Sequence, residues 1–288
     1  MKYPEPVRLS GITVLLMVSV FCWSTGARSE EPTTLVVCAP GFPGNTAEAQ
    51  PTMDELAGAL ARGAGWAGGR IAAAYYPDLA SGLEALGREH AALALVPLAF
   101  YLEHRRQLDL RATLQVEQEP EVWSLVAGAD AITAPQALAG WELAGISGYS
   151  PRFVRQVVLA DWGELPGSVE IRFASRVLSV LRQAAGGDKV AALLDRAQTA
   201  ALPSLPFAAQ LEVVARSRPL IGTLLCRVGE RQTDEEAAAV TSAFLALERL
   251  EGGRELLDTM RIARFRPVAA EQLASIERAF GAAEDPER

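Results

Sequence analysis

From residue 33 onward, short apolar runs alternate with amphipathic segments, and this alternation constrains the fold more than any other feature. "TLVVCA", "RIAAAYY" and "AALALVPL" read as strands. Between them, "TMDELAGALARGAG" sets Leu56, Ala57 and Leu60 on one helical side with Gly63 as a stop, and "DLASGLEALGRE" opens on Asp78, a suitable N-cap. "AALALVPL" is apolar throughout, as expected of a strand buried on both faces of a parallel sheet. "AFYLEHRRQL" follows as a helix and "LRATLQVE" as a strand. The rhythm restarts at "VWSLVAG" and runs through the strands "WELAGIS", "VEIRFA", "KVAALLD" and "LEVVARS", separated by "PRFVRQVVLADWG", "RVLSVLRQAAGG" and a helix or turn near "TAALPSLPFAAQ". Strands alternating with helices of about 10–15 residues imply βαβ units and parallel sheets. Two consecutive sets imply two α/β lobes. The strand "LIGTLLCRVG" then leads into a long helical stretch, where Thr233 and Glu236 form a capping box and Gly252-Gly253 can break the helix. "FRPVAAEQLASIERAF" reads as a last helix and residues 281–288 as a flexible tail.

The first 27 residues read differently. "GITVLLMVSVFCW" is an apolar run of 13 residues, preceded by Lys2 and Arg8 and followed by small residues at Thr25 and Ala27. A membrane span needs about 20 apolar residues, so the pattern predicts a cleaved secretory signal over 1–27, a periplasmic location and no membrane insertion afterwards. Phe21 before Cys22 argues against a lipoprotein site. Cys38 and Cys226 then remain. An oxidising compartment would allow them to pair, but each lies in an apolar run where a buried free thiol is the favoured reading.

Charge and motifs exclude several functions. The formal charge is −8, with lysine only at positions 2 and 189 and no basic run, which argues against nucleic-acid binding. His90 and His104 are the only histidines, and neither has metal-site spacing. There is no G-x-S-x-G, H-E-x-x-H or Walker pattern. No catalytic residue, metal or cofactor is assigned, and the chain is read as a non-enzyme.

Two segments carry a family resemblance. "YYPDLASGLEALGREHAALALVPLAFYLEH" holds Glu84-Ala85-Leu86 in a helix, a strand ending in Pro97, and a helix containing Tyr101. "SRPLIGTLLCRVGE" with "TSAFLALERLEGGRELLDTMRIARFRPV" supplies a return strand, a long helix and a closing element, with Ala263-Arg264 in place of a glycine before Phe265. Together they resemble the phosphonate/phosphite-type (PhnD-like) periplasmic solute-binding proteins of ABC transporters, over about residues 33–280. The resemblance implies a two-lobed type II periplasmic-binding-protein fold of the α/β class, with two crossover strands near Glu117–Trp123 and Ser217–Gly222. Lobe one would be 33–118 plus 218–280, and lobe two 119–217. It implies a monomer that closes on a small, anionic, phosphonate- or phosphate-like ligand and presents it to an ABC permease. The alternative is a ligand-sensing or interaction module of the same fold, partnered with a sensor kinase.

The candidate site sits where "AGISGYSP" joins a strand to a helix. In open α/β sheets, ligands bind beyond the carboxyl ends of strands, where free N–H groups favour anions. Ser150 is placed as N-cap with Pro151 as the first helical residue. Phosphonate binders carry Ser-Thr-Ser-Gly here. This chain has Ser147-Gly148-Tyr149-Ser150-Pro151, which keeps two hydroxyls and loses one amide donor. Ser147, Tyr149 and Ser150 are therefore candidate ligand-binding residues. Tyr75, Tyr76 and Tyr101 join them at the rim of the first lobe, with Pro40-Gly41-Phe42 as a floor. Asp195 stands where the family has a sheet-end Asp; a helix cap is its other reading. The family's His-Asp element is replaced by Ala174-Ser175-Arg176. Arg172, Arg176 and Arg216 are the candidate counter-charges.

Overall fold

The computed structural model describes Met1 and residues 32–281. The expected signal peptide, the Cys22 question and tail residues 282–288 lie outside the described residues.

The chain begins β1 (Thr33–Cys38), α1 (Thr46–Gly63), β2 (Ile71–Tyr76), α2 (Leu79–Gly87), β3 (Ala91–Pro97), α3 (Leu98–His104) and β4 (Leu110–Glu117). It continues β5 (Ser124–Gly128), β6 (Glu142–Gly145), α4 (Pro151–Phe153, extended by a π-helical turn Val154–Val158), β7 (Glu170–Phe173), α5 (Val177–Ala185), β8 (Val190–Leu194), α6 (Arg196–Ala201) and β9 (Leu211–Arg216). It closes with β10 (Thr223–Val228), α7 (Asp234–Ala246), α8 (Gly253–Thr259), β11 (Arg264–Pro267) and α9 (Ala270–Gly281). One sheet has the order β11-β4-β10-β3-β1-β2 and the other β7-β6-β8-β5-β9.

Local chemistry sets the helix starts. Asn45 caps α1 through the Glu48 N–H at 2.9 Å, so the helix begins at Thr46, six residues before the expected start at Thr52. Asp78 caps α2 through the Ser81 N–H at 2.8 Å. The Thr233–Glu236 capping box opens α7, and Gly252, at φ 72°, separates it from α8. "RFRP" is a strand rather than the start of the last helix. It is an edge strand paired to β4 with only Phe265 buried, so it carries no periodic signal.

Both sheets are mixed, which corrects the expectation of parallel sheets. β1 pairs in parallel with β2 and β3, and β6 with β7 and β8. β10 runs antiparallel to β3 and β4, and β5 antiparallel to β8 and β9. The register gives the reason. β10 starts opposite Pro97, the carboxyl end of β3, and β5 starts opposite Leu194, the carboxyl end of β8. Each of these strands arrives from the other sheet, so each enters at the end where its new neighbour leaves. The crossing segments are tied to each other by paired Glu121–Leu220 backbone bonds of 3.1 and 2.8 Å and by Ser217 N–H to Trp123 C=O at 2.8 Å.

The core has two parts. One face of the first sheet, with Leu35, Leu93, Leu95 and Leu225, packs under α1, α7 and α8 around Phe244 and Phe265. The other face belongs to a cluster that continues without a break into the second sheet, from Val36, Ala94 and Cys226 to Leu125, Ala144 and Leu193.

The two cysteines are free and buried. Cys226 lies opposite Ala94, which lies opposite Val36. Two strand spacings, about 10 Å, therefore separate the thiols before the two-residue offset of Cys38 is added, too far for a disulfide. Burial, then the charge of Asp78, pushes the Cys38 thiol up to about 12, so it stays protonated and unreactive at pH 8. Peptide mapping after maleimide treatment is expected to find Cys38 and Cys226 unmodified in the native protein and both modified after unfolding in guanidinium without reductant. A peptide joining the two would contradict this.

Candidate functional site

The turn after β6 is shaped by two close backbone approaches. A Cβ on Gly145 would lie 2.3 Å from the Leu193 carbonyl oxygen, and one on Gly148 would lie 1.9 Å from that of Arg172. The glycines let the turn settle against β8 and β7. Ile146–Tyr149 form a 3-10 turn. Ser147 is 1% exposed, and its Oγ is buried with no hydrogen-bond partner. Ser150 is fully buried; its Oγ accepts from the Phe153 N–H at 3.4 Å and donates to Glu103 Oε2 at 2.6 Å. Pro151 is the first helical residue.

The helix that follows is shorter than the pattern predicts. It ends with the π turn at Val158 instead of running through Trp162-Gly163. Val154, Val157 and Val158 are all buried, but Gly163 sits at φ 129° and the chain turns away there. Only one α turn follows Ser150, so the dipole available to an anion is small.

The first sheet meets this turn through its own loops. Gly41, at φ 82°, brings the loop after β1 against Phe173 and Ile146; a Cβ there would lie 2.9 and 3.1 Å from them. Tyr149 packs its ring at 6.5 Å from Phe173. Burial, then the charges of Cys38 and Glu103, holds its phenol well above the usual range, opposed by a hydrogen bond from the Phe100 backbone.

The remaining candidates lie further apart. Tyr75 and Tyr76 flank opposite faces of the first sheet, as strand neighbours do. The Tyr75 hydroxyl donates to the Pro43 carbonyl at 3.2 Å. Tyr76 lines a cavity of about 130 Å³ with Thr34, Ala85, His90 and Ala91, towards the amino ends of β1 and β3. Tyr101 is buried and donates to Glu277 Oε1 at 2.7 Å, tying α3 to α9. Asp195 caps α6, accepting from the Gln198 N–H at 2.7 Å within a full capping box. Burial raises its carboxyl above the usual range. Arg172 pairs with Glu142 at 2.6 Å, Arg216 Nη1 donates to Ser124 Oγ at 3.3 Å, and Arg176 is exposed ahead of α5. The structure thus gathers Ser147, Tyr149 and Ser150 with Glu103, Phe173 and the Gly41 loop, while Tyr76, Tyr101 and Asp195 lie apart from that cluster. Glu103 escapes a reading of the sequence because its partner is 47 positions away and a glutamate on a helix reads as solvated.

Among the described residues there is no group of three or more His, Cys, Asp or Glu side chains able to hold a metal ion, and no helix long and apolar enough to cross a membrane.

Several solved structures share the fold. A Xanthomonas citri protein solved with bound chloride has a TM-score of 0.68 at 15% identity, covering 88% of this chain and 99% of its own. The binding-protein component of an ABC phosphonate transporter from Pseudomonas aeruginosa has a TM-score of 0.60 at 14% identity, covering 90% of each chain. A PhnD protein from Prochlorococcus marinus in complex with methylphosphonate also has a TM-score of 0.60 at 14% identity, covering 88% of this chain and 99% of its own. At these identities the likeness is one of fold: the two-lobed type II periplasmic-binding-protein architecture. No curated protein matches the chain. The family model for the phosphonate periplasmic substrate-binding protein of ABC transporters matches residues 43–273. With that match spanning most of the sequence, the chain belongs to the family of phosphonate-type periplasmic substrate-binding proteins of ABC transporters.

Proposed function

We propose that the chain is a periplasmic solute-binding protein that takes a small oxyanion, phosphonate- or phosphate-like, between its lobes and delivers it to an ABC permease. In this reading residues 1–27 are removed as a signal, 33–118 plus 218–280 form lobe one, 119–217 form lobe two, and the protein acts as a monomer. The observation that carries it is Ser147. Its Oγ is a buried hydroxyl without a partner, at the carboxyl end of β6, where open α/β sheets bind ligands. Leaving such a group unmade costs about 1–3 kcal/mol, and a ligand oxygen would relieve that cost. Tyr149 and Ser150 flank it. Tyr75, Tyr76, Tyr101 and Asp195 are secondary candidates, since three of them already have partners within the chain.

Ser147→Ala tests this. Binding of inorganic phosphate or methylphosphonate, followed by calorimetry, is expected to weaken roughly tenfold to a hundredfold, the loss of one hydrogen bond to a charged group. Stability is expected to hold or rise by about 1 kcal/mol, because the variant removes a buried unsatisfied hydroxyl. Unchanged affinity would remove Ser147 from the site.

The second reading is the ligand-sensing or interaction module partnered with a sensor kinase. It is favoured by the contact of Ser150 with Glu103 and by the close approach of the Gly41 backbone to the Phe173 ring, which join the rims without a ligand. Neighbouring genes for a permease and ATPase would support transport, and a neighbouring sensor-kinase gene would support the second reading.

A further inference from the structure

The carboxylate of Glu103 occupies the hydroxyl that an oxyanion would use. Glu103 is on α3, which follows β3 of the first sheet; Ser150 follows β6 of the second. Their 2.6 Å hydrogen bond therefore joins the two sheets, and a hydroxyl donating to a carboxylate at this length is of the strong, charge-assisted kind. Neighbouring contacts cross in the same place. The Gly41 loop presses on Phe173 and Ile146. Arg152 donates to the Phe280 carbonyl of α9 at 2.9 Å, with its guanidinium 4.3 Å above the Phe280 ring.

We propose that Glu103 latches the two lobes through Ser150 and that an oxyanion enters only by displacing it; the displacement rests on the oxyanion reading above, whereas the latch does not. Ser150 Oγ has a single proton. While Glu103 accepts that proton, Ser150 has none to offer a ligand oxygen. An arriving anion also meets a negative carboxylate within hydrogen-bond reach of the same hydroxyl, and like charges at that spacing repel. Glu103 thus sets a threshold: anions that bind too weakly to dislodge it are refused, and one that succeeds also breaks a contact between the lobes.

Three variants of the full chain, Glu103→Gln, Glu103→Ala and Ser147→Ala, separate the possibilities. Gln keeps an acceptor for Ser150 and removes the charge; Ala removes both. Each is titrated with inorganic phosphate and with methylphosphonate, and each is measured by small-angle X-ray scattering. E103Q is expected to bind these ions roughly tenfold or more tightly than the parent, since removal of one close like charge suffices for that. E103A is expected to shift to a larger radius of gyration. If S147A weakens binding while E103Q leaves affinity unchanged and E103A leaves the scattering unchanged, the latch is overturned and the oxyanion reading stands. If E103A opens the protein but neither ion binds any variant, the latch is upheld and the oxyanion reading is what falls.

Discussion

Gly148→Ala is expected to destabilise the protein by about 3 kcal/mol, at the upper end of the range for overpacking. A Cβ at this position would stand 1.9 Å from the Arg172 carbonyl oxygen, 2.2 Å from its carbon and 2.7 Å from the Phe173 nitrogen. All three atoms are backbone, so no side chain can rotate away. Relief requires β7 or the 3-10 turn to move, and each is held. β7 is paired to β6 in register from Glu142–Glu170 to Gly145–Phe173, and the turn is held by Ala174 N–H to Gly145 C=O and Ser150 N–H to Ser147 C=O, both 3.0 Å. Gly167→Ala is the control. It is exposed, with nothing within 4 Å of its Cβ position, and its effect is expected to stay within about 0.5 kcal/mol. Urea unfolding read by circular dichroism checks both. Equal midpoints for the two variants would show that the turn yields freely. The same displacement would move Ser147 and Ser150, so G148A is also expected to weaken any ligand held there.

The glycine shows which part of the site was legible in the sequence. In the sequence Gly148 is only the residue between Ser147 and Tyr149 of the candidate turn. The structure gives it a packing duty against β7, which depends on a strand more than twenty residues away. Features written within three or four residues read well: Asp78, Ser150 and Thr233 as caps, Pro151 as the first helical residue, and the strand–helix alternation. Asp195 is local too, and the cap among its two readings is present. Features set by the two crossings did not read at all. Nothing in "TLLCRV" says that β10 enters at the carboxyl end of β3, since an apolar run has no direction. Phe265 alone is buried in "RFRP", too little for a period of two. Tyr101 and Glu277 lie 176 positions apart, and Ser150 and Glu103 lie 47 apart. The cap of Ser150 on the Phe153 N–H is local, whereas its Glu103 partner is long-range, which is why the turn is legible in the sequence and its counterpart on α3 is not.

Phe153→Ala is expected to cost about 3–5 kcal/mol, the usual range for deleting a buried phenylalanine, and to lower one unfolding transition rather than split it into two. Phe153 is 1% exposed and meets Trp123 edge-on at 6.3 Å between centroids. Trp123 lies in the first crossing, where its backbone N–H bonds Ser217 Oγ at 3.0 Å in the second. Phe153 therefore fills the volume beside both connections, and its loss leaves a cavity there that backbone pairing keeps from collapsing. The single transition follows from the core. The apolar cluster that contains Phe153 also contains Val36, Ala94 and Leu224 of the first sheet, so damage beside the crossings is felt by both sheets. Phe244→Ala gives the comparison. Phe244 packs against Phe265 at 4.8 Å in the cluster on the far face of the first sheet. Its loss is expected to cost a similar amount without touching the crossings. Calorimetric scans should show one peak for the parent and for both variants, each variant's peak shifted down. A second peak in Phe153→Ala would mean that the sheets are held together chiefly by that ring, and the continuous core would then be too weak to make the two lobes unfold as one.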